Sequence, residues 1–211
     1  MCAAEAGRGF EIRPSRPDDI DGMVDLHCSC FDPGKHLATL LGRSFIRTMY
    51  EWFVTSPRAI AICGFDHETL VGFLTVCNGP YHELVLKENK SALLRSLLLR
   101  PWIAFHPQVL QWALARMRGP VDVERTLRRE KDVVHFSLIA IRPDYRGSGL
   151  AVAMMKQMFR ACRERGWRKL WVVIYKENMA SRRLTEKLGF SEVPLSAGSG
   201  RKVVLARELR D

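Results

Sequence analysis

The stretch whose reading decides this chain is Leu138-Ile139-Ala140-Ile141-Arg142-Pro143-Asp144-Tyr145-Arg146-Gly147-Ser148-Gly149-Leu150-Ala151. It opens on an unbroken apolar run of the kind a buried strand needs, turns at Arg142-Pro143-Asp144-Tyr145, passes two glycines and enters a helical pattern. Gly147 and Gly149 let successive backbone N–H groups converge on one concavity, and the helix start adds partial positive charge. The segment is therefore suited to an anion such as a pyrophosphate. Neither common nucleotide fingerprint fits: no Gly-Lys-Ser/Thr ending closes a P-loop, and the spacing is not Gly-x-Gly-x-x-Gly. The plainer alternative is a tight strand-to-helix turn that holds nothing.

Working outward, residues 133–141 are β-branched and apolar enough for a central strand. A helix is expected over about 150–165, with Val152, Met155, Phe159 and Cys162 on one side and Gly166 as its stop. Residues 169–175 read as a second buried strand. Asn178 starts a helix with Ala180, Leu184 and Leu188 along one stripe, and Gly189 ends it. Strands over 190–193 and 203–209, with 196–200 as their loop, finish the chain. Upstream, the expected order is β-α-α-β-β: a strand over 10–13, a helix with Asp18 and Asp19 in its first turn, one helix over about 38–54, and strands over 59–65 and 70–77 joined by the polar turn Asp66-His67-Glu68-Thr69. Between the halves, residues 83–132 form a long connection with its own helical pattern. The expectation is one domain over residues 1–211, of class α/β (α+β), with a mixed central β-sheet flanked by helices and a helical insertion, 83–132, before the loop-bearing strand.

Arg146-x-x-Gly149-x-Ala151, following a strand and Pro143, resembles the acyl-CoA-binding motif of the GNAT acyltransferase superfamily. Asn178, Ser181, Leu184 and Lys187-Leu188-Gly189-Phe190 are similar to that family's C-terminal helix motif, with Ser181 in the usual Ala place. The resemblance covers about residues 10–82 and 133–209. It implies transfer of an acyl group from acetyl-CoA, or another acyl-CoA as co-substrate, to the amine of a small-molecule acceptor. In such a site the backbone of Ile139, Ala140 and Ile141 would pair with the pantetheine arm. The N–H groups of Arg146, Gly147, Ser148, Gly149, Leu150 and Ala151 would hold the pyrophosphate, and Asn178 would reach the pantetheine from the other side or serve simply as a helix cap. Family members often carry Glu near the position of His135. Strict alternation puts His135, Ser137, Ile139 and Ile141 on one face, so His135 is expected to point toward the acyl group and act as general base, or else to be an ordinary half-buried strand histidine. Thr185 stands where many relatives have the Tyr that protonates the departing thiolate, which leaves the general acid unassigned.

With 211 residues, 47% hydrophobic and 27% charged, the chain is globular rather than disordered or coiled-coil. The formal charge is +10. Residues 1–82 hold 7 basic and 10 acidic side chains, whereas residues 83–211 hold 26 and 13, so the excess belongs to the second part. Such an excess suits a polyanionic partner, here a phosphorylated cofactor. No nucleic-acid partner is expected, because no recognisable module is present and the basic residues are not gathered with stacking aromatics. From Ser91 to Arg118 four arginines (Arg95, Arg100, Arg116, Arg118) occur with no acid, and Trp102, Phe105 and Trp112 lie beside them. This stretch resembles, more weakly, a subgroup tied to amino-sugar acetylation in polysaccharide synthesis. It is also compatible with peripheral contact to an anionic membrane or protein over 91–118, or with simple packing onto the domain. Its uncharged run, residues 101–115, is too short to span a bilayer. Six cysteines with no Cys-x-x-Cys pair read as reduced core thiols, and no metal site is expected. Residues 1–10 lack the apolar core of a secretory signal, so a cytoplasmic protein is expected.

Overall fold

The computed structural model describes residues 9–34, 36–107, 109–110, 114, 132–193 and 201–209, with the backbone alone at 81 and 82. Among these, seven strands form one mixed sheet in the order β1-β2-β3-β4-β5-β7-β6, where β1 is Glu11–Pro14, β2 Ala59–Asp66, β3 Thr69–Asn78, β4 Val133–Ile141, β5 Lys169–Tyr175, β6 Ser191–Glu192 and β7 Lys202–Glu208. β1 to β4 are antiparallel neighbours, β4 and β5 are parallel, and β5, β7 and β6 are antiparallel. Parallel strands need a crossover, and α6 (Leu150–Glu164) supplies it between β4 and β5.

Helices cover both faces because the central strands are apolar on both. On one face α1 (Ile20–Cys30) and α3 (Arg43–Thr55) bury Met23, Phe45, Ile46, Met49 and Phe53 against Ala61, Cys63, Phe73 and Cys77. On the other, α6 buries Met154, Met155, Met158 and Phe159 against Ile62, Leu74, Val76, Leu170 and Val172. α7 (Met179–Lys187) follows β5.

Two local expectations are corrected. The helix expected over 38–54 is two, α2 (Leu37–Leu41) and α3, broken at Gly42, whose φ of +94° is a backbone state that favours glycine. A Cβ at Gly42 would also lie 2.8 Å from Nη1 of Arg100, so the break receives a side chain from the insertion. Asp19 lies not inside the first turn of α1 but at its N-cap position. It closes a 3-10 turn (Pro17–Asp19) and accepts from Arg13 Nη1 and Nη2 at 2.6 and 2.8 Å and from the Arg16 N–H at 2.6 Å, and these bonds hold its carboxyl below the usual range against the opposing effect of burial. The insertion begins with α4 (Tyr81–Glu88), continues as α5 (Lys90–Leu99) and ends its described course in the 3-10 turn Pro101–Phe105 and a few residues beyond. Arg116, Arg118, Trp112 and the loop 196–200 lie outside the described residues.

Candidate active site

The site is built where β4 leaves β5. The two strands pair only through Val133, Val134 and His135 against Lys169, Leu170 and Trp171. Beyond that point β4 stays on β3, with Ile139 opposite Leu74, Ala140 opposite Phe73 and Ile141 opposite Gly72. Among the described residues no strand faces Ile139, Ala140 and Ile141 on the β5 side, so a run of backbone N–H and C=O groups lines a V-shaped gap. Such groups need partners, and an extended ligand arm supplies them as an added strand does. The thiol of Cys30, at the end of α1, approaches the Ile141 carbonyl at 3.5 Å.

At the open end of the gap the chain makes a 3-10 turn, Pro143–Tyr145, and then passes Gly147 and Gly149, with φ of +82° and +87°. Tyr145 anchors the turn: its hydroxyl donates to Asp66 Oδ2 at 2.7 Å, which holds the phenol protonated above its ordinary range. Arg142 is spent on Asp144, Nη2 to Oδ2 at 2.8 Å, while the side chain of Arg146 is exposed. The Ser148 hydroxyl donates to the Tyr145 carbonyl at 2.7 Å, and the Leu150 N–H reaches only Ser148 Oγ at 3.4 Å. Among the described residues no acceptor takes the N–H groups of Gly147, Gly149, Ala151 or Val152. Those of Arg146 and Ser148 are turned inward, to the carbonyls of Pro143 and Tyr145 at 3.2 and 3.4 Å. Four unclaimed donors beside the positive end of a four-turn helix make an anion nest.

Two glycines in the sheet set the position of that helix. A Cβ at Gly64 would come within 2.7 Å of Leu150 Cδ1, and one at Gly72 within 3.0 Å of both Leu150 Cδ2 and Met154 Cε. Leu150, fully buried, therefore sinks into a dent that only glycine leaves, and the first turn of α6 is pressed against the strands beside the gap.

His135 sits at the apex of the V, in register with Cys77 on one side and Trp171 on the other, and is 8% exposed. The expected common face for His135, Ser137, Ile139 and Ile141 is not what the strand adopts. Register with β3 shifts between Thr75 and Val76, where Leu138 and Phe136 are the successive partners and Ser137 is the extra residue. This β-bulge resets the alternation. His135, whose partner Cys77 belongs to the α1–α3 core, shares that face with Leu138 and Ala140, whereas Ile139 and Ile141 pack on the α6 side. Ser137 Oγ lies 3.3 Å from the His135 carbonyl and 3.5 Å from Cys77 Sγ. Beside His135 the indole Nε1 of Trp171 is buried with no acceptor among the described residues, and the hydroxyl of Thr75, opposite Leu138, likewise has no partner among them.

Asn178 is the cap of α7, its Oδ1 accepting from the Ser181 N–H at 3.1 Å, and it stands exposed on the far arm of the V with Tyr175 and Met179. Thr185 is buried, its hydroxyl donating to the carbonyls of Ser181 and Arg182 at 3.0 and 2.8 Å, and so is tied up inside its own helix. The sequence reading did not identify a polar cluster between α1 and α3: His27 Nδ1 lies 2.6 Å from the Tyr50 hydroxyl and Nε2 3.0 Å from Thr39 Oγ1, which is 3.4 Å from His36 Nδ1. Burial lowers His27 to about 3, aided by His36, and His36 itself to about 4. The only sequence signal was a histidine inside the apolar stripe of α1. Among the described residues no group of three or more His, Cys, Asp or Glu is placed to hold a metal ion.

Comparison with curated proteins gives no match. Solved structures with the same fold include the ribosomal-protein-S18-alanine N-acetyltransferase of Escherichia coli (14% identity, 95% of this chain and 94% of that one, TM-score 0.55). Another is the Salmonella typhimurium protein yncA with its cofactor acetyl-CoA (14%, 96% and 95%, TM-score 0.58). A third is the PaiA N-acetyltransferase of Thermoplasma acidophilum in complex with coenzyme A (9%, 95% and 99%, TM-score 0.56). The model of the acetyltransferase (GNAT) family matches residues 20–190, spanning the parted strands and both motifs, and on that match the chain belongs to the GNAT family of acyl-CoA-dependent acetyltransferases.

Proposed function

We propose that this chain transfers the acetyl group of acetyl-CoA to the primary amine of a small molecule, with amino sugars and sugar nucleotides as the first class to test. The observation that supports it is the parting of β4 from β5 immediately after His135, with an anion nest at the other end of the same strand. The nest and the open edge of Ile139–Ile141 fit a pyrophosphate joined to an extended arm, and Arg146 adds charge where the phosphates would lie. Asn178, with its oxygen held by α7, keeps its amide N–H groups for the arm's opposite side.

Bound acyl-CoA supplies a thioester carbonyl; the amine nitrogen forms the new C–N bond as the C–S bond breaks. An ammonium cannot attack, so the acceptor must first lose a proton. His135 is the candidate base. It faces the α1–α3 side, opposite α6, so acceptor and cofactor approach the gap from opposite faces of the sheet. The corrected face therefore suits the role better than the one expected from strict alternation. The buried indole N–H of Trp171 beside it is a donor that a bound acceptor or acyl oxygen can satisfy. Thr185 is committed to backbone carbonyls and is no proton donor here; a CoA thiol, with an acidity near that of cysteine at about 8.5, leaves with a proton from water.

Mass-detected acyl transfer from acetyl-CoA across a panel of amines, with nucleotide amino sugars, simple amino sugars and peptide N-termini as separate arms, tests the reading. Turnover in the sugar arms is expected. Turnover only of peptides moves the acceptor to protein amines, and absence of CoA binding at millimolar concentration removes the enzyme reading altogether.

A further inference from the structure

Of the nine large apolar side chains exposed among the described residues, seven lie between residues 94 and 114. The other two, Tyr175 and Met179, flank the gap. This concentration comes from a leucine-rich helix whose outer side mixes leucines with Lys90, Ser91 and Arg95. The inner side of α5, through Ala92, Leu93 and Leu97, packs on the α1–α3 core. Its outer side presents Leu94 and Leu98, one turn apart, with Leu99, and Leu98 is 73% exposed. The following turn continues the surface with Trp102 and Phe105, 67% and 78% exposed, while Ile103 between them is buried and pins the turn to the body. Arg100, lying over Gly42, fastens the same segment to the α2–α3 break. The apolar residues are thus held outward on a fixed rim, and so many large apolar side chains in water on one segment make a surface that calls for a partner.

We propose that this rim docks on an anionic lipid bilayer surface. The chemistry around the patch selects that occupant. Among the described residues, Lys90 to Leu110 carries Lys90, Arg95 and Arg100, all exposed, and no acidic residue, and Arg95 lies on α5 between Leu94 and Leu98. A second copy of the chain would set this basic segment against itself, arginine against arginine. Lipid headgroups supply the negative charge and the acyl boundary takes the leucines, with Trp and Phe at the interface where aromatic rings reside. No helix among the described residues is long and apolar enough to cross a membrane, so the association lies on the surface. The insertion leaves the sheet at the end of β3 and re-enters at the start of β4, the end of the strand away from the phosphate nest, and packs on the face His135 presents. Docking therefore leaves the nest open to a soluble cofactor.

The test is co-sedimentation of the full chain with phosphatidylcholine vesicles, with or without about one-third phosphatidylglycerol, at low and high salt. Binding to the anionic vesicles alone, weakened severalfold by salt, is the expected result. The triple variant Leu98→Ser, Trp102→Ser, Phe105→Ser should lose about tenfold or more in vesicle partition, with CoA binding and thermal unfolding unchanged because all three side chains are already in water. Single Phe105→Ser and Arg95→Gln variants give the same direction at smaller size if the triple variant is poorly folded. No co-sedimentation at low salt, equal binding by the variants, or patch-dependent dimerisation without vesicle binding would each overturn the proposal. Vesicle binding is read without acyl transfer, so its failure leaves the proposed reaction standing.

Discussion

His135 is the proposed base, and two roles for it are separable by measurement. As a base it should be needed for turnover and not for cofactor affinity: His135→Ala is expected to lower kcat by about a hundredfold or more while the Kd for CoA changes less than about threefold. Loss of the acid limb in the pH–rate profile should accompany it, and a wild-type profile in the variant would assign the residue to packing. The other buried histidines bear on stability instead. His27 and His36 are held near 3 and 4, well below the free value of 6.5, so the unfolded chain binds protons there that the folded chain does not. Their contribution is fully present above about pH 6.5 and is lost as pH falls toward 4 and then 3, at up to about 1.4 kcal/mol per pH unit for each. Denaturant unfolding between pH 7 and 5 should show that decline, and His36→Asn should flatten it.

At the scale of elements, α6 carries the nest and two absent methyl groups in the sheet set its height. Gly72→Val or Gly64→Val would push Leu150 and Met154 outward; about 1 to 3 kcal/mol of stability and tenfold or more in CoA affinity are the expected losses, measured by unfolding and by calorimetry. Gly149→Ala is the complementary case. Nothing lies within 4 Å of a Cβ there, so its cost of about 1 kcal/mol comes from the φ of +87° alone. These elements differ in how far the sequence shows them. β5 read directly as an unbroken apolar run, α6 and α7 because each has one strong period and a glycine just past its end, and the anion turn because Gly147 and Gly149 stand between an apolar run and a helical one. The break at Gly42 did not read, since the apolar spacing continues through it and the side chain lying over it, that of Arg100, is far along the chain. The bulge at Ser137 left no mark either: apolar residues occupy both faces of β4, so nothing in the pattern shows where alternation slips.

For the whole molecule, part of the +10 charge lies beside the gap and part on the insertion. Arg146 and Lys176 stand on the two arms of the gap, and raising salt from about 50 to 300 mM should weaken CoA binding severalfold through screening of such exposed charges. Arg95 and Arg100 of the insertion lie away from the nest and should not contribute to that slope. In the proposed reaction the sheet is a partition, with cofactor delivered from the α6 side and acceptor from the α1–α3 side, and the single surplus residue in β4 maintains it. Before Ser137 the strand shows its odd-numbered side chains to the acceptor side; after it, the even-numbered ones. One strand thus carries both parities. Deleting Ser137 would restore a single parity and force one half of the strand to turn over, either sending His135 to the cofactor side or exchanging Ile141 with Ala140 beneath the phosphate turn. At this point of the chain length counts in twos, and a change of one residue would invert the partition rather than merely shorten it.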